Sequence, residues 1–145
     1  MSIFPAIILL ATDGSREAEL AARTAADIAK STSSELHVVN VAGGLAYHTE
    51  MREITEQLRQ RAGQLLDEQV EMIKEAGGTV AETHIRVVAE HRDRAIVELA
   101  EELGAGLIAM GSRGQGGVKR ALLGSVSDSV VQHAHCPVLV VREER

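Results

Sequence analysis

The sequence predicts a three-layer α/β fold, an open, twisted, parallel five-stranded sheet with helices on both faces. Three observations lead there. Short apolar runs of strand length alternate with longer stretches of helical spacing along the whole chain. The strand runs are apolar on both sides, as a parallel sheet covered by helices requires. No Pro-rich or Ser-rich linker interrupts the alternation, so residues 1–145 read as a single domain.

Each element follows from its own residues. Ala6 to Ala11 (AIILLA) is a buried strand, and Ala18, Ala21, Ala22, Ala25 and Ala29 then recur at helical spacing. Glu35 to Val41 is a second strand, followed by a loop holding Gly43 and Gly44. Met51, Ile54, Leu58, Ala62, Leu65, Val70 and Ile73 form one apolar stripe of a long helix that Gly77 and Gly78 close. Val80 to Val88 alternates as a strand with one wetter face. Ile96, Leu99, Ala100 and Leu103 mark a third helix ending at Gly104, and the charged run Glu90 to Arg94 reads as its solvated start. Leu107 to Met110, Leu122 to Ala134 and Val138 to Val141 supply a fourth strand, a fourth helix and a fifth strand. Right-handed crossovers make these consecutive βαβ units a parallel sheet, and in such sheets ligands bind beyond the carboxyl ends of the strands. The loops to read are therefore Thr12 to Ser15, the one after Val41 and the one after Met110.

Composition excludes several functions. Phe4 and Tyr47 are the only aromatic residues and the formal net charge is -6, so the chain has neither stacking platforms nor a basic surface for nucleic acid. Cys136 is the only cysteine, which rules out an intramolecular disulfide and suits a reducing compartment. No apolar run approaches the roughly 20 residues that span a bilayer, and Met1 to Leu10 lacks the positive start of a secretory signal. A cytoplasmic protein without membrane insertion is expected.

The fourth strand runs into a loop with Gly111, Gly114, Gly116, Gly117 and Gly124, five glycines in fourteen residues. Glycine at this density is entropically costly, and close approach of the backbone to a ligand explains it. Converging amides and a helix amino terminus suit an anion; Ser125 and Ser127 add hydroxyls, and Arg113, Lys119 and Arg120 add positive charge. Neither G-x-x-x-x-G-K-[ST] nor G-x-G-x-x-G fits the stretch, because Gly117 follows Gly116 and Lys119 stands where the third dinucleotide glycine belongs. His133, His135 and Cys136 lack the spacing of a structural zinc site. His37 and His84 alternate with apolar neighbours and read as packed or half-exposed structural residues. No metal held by protein side chains is expected.

The pattern that does fit is glycine, two residues, glycine, nine residues, Gly-Ser, formed by Gly111, Gly114, Gly124 and Ser125. In this the sequence resembles the universal stress protein family, in its ATP-binding branch. The opening Ile8 to Ser15 is similar to the family's first strand and turn, and Met110 to Gly114 with His135 to Arg142 is similar to its last third. Two departures stand out: Glu90 to Arg94 replaces a Gly-x-Pro-type turn, and Gly106 stands where many members have Asp.

The resemblance implies the strand order 3-2-1-4-5 in a Rossmann-like sheet. It places nucleotide contacts on Ala11, Thr12 and Asp13, on Val41, and on Met110 and Gly111 at the adenine and ribose end. Gly114, Gly124, Ser125, Val126 and Ser127 would hold the phosphates, with Arg113 as a further candidate contact through its charge. The implied ligand is ATP, or ADP or AMP, with Mg2+ or Mn2+ bridging the phosphates. The implied function is stress-response signalling, in which nucleotide state changes a surface read by a protein client. The alternatives are a slow ATPase or phosphoryl-transfer enzyme, and a dimeric scaffold that binds no nucleotide. A homodimer through the C-terminal strand is expected on two grounds, the resemblance and the apolar edge that Val138 to Val141 would leave unpaired.

Overall fold

The computed structural model describes residues 7–43, 51–112 and 123–143. Strand β1 (Ile7–Ala11) leads through α1 (Arg16–Thr32) to β2 (Glu35–Gly43), and α2 (Met51–Glu75) leads to β3 (Glu82–Val88). Helix α3 (Arg92–Leu103) precedes β4 (Leu107–Gly111), and α4 (Ser125–His133) precedes β5 (Val138–Val141). All five strands pair in parallel in the order β3-β2-β1-β4-β5. The reversal of direction falls between β1 and β4, where ligands of such sheets bind.

Local chemistry accounts for the helix ends. Ser15 caps α1 by accepting the Ala18 amide at 3.2 Å, Glu17 and Glu19 lie in its positive first turn, and Lys30 lies in its last. The chain leaves α1 through Ser33 in the left-handed region, and leaves α3 through Gly104 in the same conformation.

The sheet separates two apolar layers. On one face Ile8, Leu10, Leu36, Val38, Leu107 and Ala109 pack against α1 and against Leu66 and Ile73 of α2. The inner face of α1 consists of Ala18, Ala21, Ala22, Ala25, Ala26 and Ala29, all buried, so the helix rests close on the strands. On the other face Leu9, Ala11, Val39, Ile108 and Met110 meet Ile96, Leu99 and Ala100 of α3 and Val130 of α4. Cys136 is packed against this second layer, and burial raises its thiol pKa, which keeps it protonated.

Three boundaries differ from the expectation. Gly43 is the last residue of β2 and not a loop residue: it pairs with Val88 at a φ of 150°, and a Cβ there would overlap the Val88 carbonyl oxygen. Strand β3 begins at Glu82, opposite His37, although the Ala81 amide already donates to Leu36 at 2.8 Å. Helix α4 begins at Ser125 after Gly124, and Leu122, the expected start, lies outside the described residues.

Candidate functional site

At the end of β1 the chain turns back on itself. The Thr12 hydroxyl donates to Gln69 Oε1 at 3.3 Å and accepts the Gly14 amide at 3.2 Å, while Asp13 Oδ1 accepts the Ser15 amide at 2.9 Å. Gly14 takes a φ of 79°, which an L side chain rarely adopts. Asn40 Nδ2 donates to the Thr12 carbonyl at 2.7 Å and ties the turn to β2. Thr12 is buried and its hydroxyl is engaged within the protein; Asp13 helps to begin α1.

The end of β4 is held as closely. Ser112 is buried, and its hydroxyl donates to Glu17 Oε1 at 2.6 Å. Its carbonyl accepts the Gly124 amide and the Ser127 hydroxyl, both at 2.6 Å, so the two ends of the glycine-rich segment meet on one peptide group. Glu17 Oε2 accepts the Glu143 amide at 2.6 Å. Gly111 has a packing reason of its own, since a Cβ there would lie 3.0 Å from Ala18 N and from Glu17 C and Cβ at the start of α1.

A cavity of about 370 Å³ opens between the amino termini of α3 and α4, lined by Val88 to Asp93, Ser125 and Val126. Neither helix start has a side-chain cap: Gly124 precedes α4, and His91, at a φ of 61°, precedes α3. At α3 the Arg94 amide donates to the His91 carbonyl at 3.1 Å and the Asp93 carboxyl draws on the amides of Asp93 and Arg94, whereas the first amides of α4 lack an intrahelical acceptor and carry the positive end of its dipole. Arg92 donates to the Gly43 carbonyl at 2.7 Å, which fastens the β3–α3 loop to the end of β2. Asp93 accepts the Ser129 hydroxyl at 2.6 Å, a bond that holds its carboxyl below the usual range and links α3 to α4.

Of the residues singled out from sequence, Ser125 and Val126 line this cavity. Ala11 and Met110 are buried in the α3/α4 layer of the core and Val41 is half-buried against it; none of the three lines the cavity. Thr12, Asp13 and Gly111 sit at the strand ends, and the Ser127 hydroxyl points inward to Ser112. Arg113 and Gly114 lie outside the described residues. Sequence reasoning missed Glu17 and Ser112, and the whole β3–α3 loop, whose charges conceal a cavity wall.

The profile of the universal stress protein family matches residues 6–142. The chain belongs to this family. A protein from Staphylococcus haemolyticus named for the same family is 39% identical over 142 residues, covering 94% of this chain and 84% of that one. Among solved structures, universal stress protein UspA from Lactobacillus plantarum superposes with a TM-score of 0.81 at 25% identity, covering 94% of this chain and 97% of its own. A universal stress protein in complex with cAMP gives a TM-score of 0.72 at 27% identity, covering 97% and 98%. The Archaeoglobus fulgidus universal stress protein in complex with dAMP gives 0.67 at 25%, covering 97% and 99%. The universal stress protein fold thus accounts for both layers and the strand order of the present chain.

Proposed function

We propose that this universal stress protein binds an adenine nucleotide, ATP with Mg2+ or Mn2+ on its phosphates, and that nucleotide state changes a surface read by a protein client. The observation that carries the reading is the amino terminus of α4, without a side-chain cap, on a cavity of about 370 Å³, a volume usual for small-molecule sites. Val41, half-buried beside the buried Ala11 and Met110, would give adenine an aliphatic contact, and the first amides of α4 would give the phosphates their donors. Thr12, Asp13 and Gly111, at the ends of β1 and β4, would meet the ribose end of the nucleotide, and Arg113 and Gly114 would meet its phosphates. Relatives of the same fold in complex with cAMP and with dAMP support an adenine ligand.

Calorimetric titration with ATP, ADP and AMP, with and without Mg2+, tests the reading. The informative variant is Ser125→Glu. A carboxylate in the first turn of α4 favours the helix but repels phosphate. Affinity should fall at least about tenfold, roughly 1.4 kcal/mol, with no loss of thermal stability. Equal affinity in the two proteins would remove the phosphates from this helix.

A further inference from the structure

At the opposite end of the sheet, where β2 and β3 begin, four ionisable side chains meet on the α3 side. His37 is buried between Glu35 and His84: its Nε2 lies 3.1 Å from Glu35 Oε1, and its Nδ1 lies 3.0 Å from His84 Nε2. Glu82, the residue paired with His37 across the ladder, brings Oε2 to 3.9 Å from the same Nδ1. A carboxylate only accepts, so the bond to Glu35 puts a hydrogen on His37 Nε2; in the neutral ring Nδ1 then has its lone pair toward His84.

We propose that His37 Nδ1, His84 Nε2 and a Glu82 carboxylate oxygen form a binding site for a divalent transition metal of the Zn2+ class, with Glu35 orienting His37 from behind. The three ligand atoms already lie within 4.8 Å of one another. Two imidazole nitrogens on a tetrahedral zinc stand roughly 3.3 Å apart, given Zn–N bonds of about 2.05 Å. The observed 3.0 Å is short by only a few tenths of an ångström, but the ring centroids stand 5.3 Å apart, so the two nitrogens meet head-on. Each ring must also swing by roughly 35° to aim its lone pair at a tetrahedral metal that replaces the shared hydrogen. Glu82 is 63% exposed in its side chain and His84 half-buried on an edge strand, so both can turn to complete the set, and solvent can fill the fourth position. A carboxylate on the far nitrogen of a ligating histidine is the usual second partner in such centres. Two imidazoles and one carboxylate suit zinc and its neighbours over Mg2+, which prefers all-oxygen sites. The site is independent of the nucleotide cavity, which lies at the carboxyl ends of the strands.

The test uses the full chain stripped with chelator and titrated with Co2+, read by its visible absorption, and then with Zn2+. One Co2+ per chain should bind with the spectrum of a four-coordinate site, Zn2+ should displace it, and excess Mg2+ should not. His84→Ala and Glu82→Gln should each weaken binding by at least about tenfold, and Glu35→Gln by about tenfold through the lost orienting bond. Histidine ring resonances of the unmodified protein give a second readout that needs no variant: Zn2+ should move those of His37 and His84. Unchanged affinity in His84→Ala, displacement by Mg2+, or Zn2+ shifts confined to the other histidines would overturn the assignment.

Discussion

Glu17 shows how one residue can hold distant parts of a chain. Its carboxylate is buried and receives the Ser112 hydroxyl from the exit of β4 and the Glu143 amide from beyond β5. In sequence it reads as an acid in a helix's first turn, because nothing local reveals that the fold brings residues 112 and 143 to it. Glu17→Ala should cost about 1–3 kcal/mol, since buried donors lose their acceptor; urea denaturation measures it. His91 is the converse case. It holds a left-handed φ of 61° at the start of α3, in the segment that stands in place of a Gly-x-Pro-type turn. His91→Gly should raise the unfolding free energy by up to about 1 kcal/mol by relieving that conformation, seen as a higher thermal midpoint. No change in the midpoint would show that the turn bears no strain.

At the scale of elements, α3 and α4 are joined at their starts by the bond from Ser129 to Asp93. The Asp93 carboxyl lies below its ordinary value of 3.8, first because of that hydroxyl. A depressed folded pKa stabilises the protein above the unfolded value, and the contribution is lost as pH falls through the folded one. Acid unfolding of Asp93→Asn should therefore depend less on pH below about 4 than that of the unmodified protein. Parallel acid limbs in the two proteins would mean that Asp93 does not couple folding to protons. Most of these elements were legible in advance: alternating periods give five strands and four helices, and the expected turn glycines Gly77 and Gly104 do take positive φ. What periodicity hid was pairing. That His37 faces Glu82 and Val39 faces His84 depends on the register of β2 with β3, which no local pattern states. The cavity wall from Val88 to Asp93 was hidden for a related reason, because a charged run looks the same whether solvent or a second helix start lies opposite.

For the whole molecule, β5 is an edge strand of the sheet. Ile108 donates to the Pro137 carbonyl and Ser112 to the Val141 carbonyl, so the odd-numbered residues of β5 turn their peptide groups toward β4. The amides of Val138 and Val140 then face the free edge, by the alternation of a parallel ladder. We expect a second copy to pair there. Val140→Pro deletes one outward donor and none that serves β4, so it should shift dimer to monomer in light scattering while the monomer keeps its circular dichroism. A monomeric unmodified protein at micromolar concentration would count against pairing at this edge. Among the described residues no helix is long and apolar enough to cross a membrane.

The two oxygens of Glu17 carry a consequence for communication. One is bonded to the residue that opens the glycine-rich segment, and the other to the tail that follows the edge strand. A ligand that drew Ser112 by a fraction of an ångström would pull on a carboxylate whose other arm is the C-terminal tail. A message from pocket to edge would thus need no moving domain, only a rigid lever one side chain long.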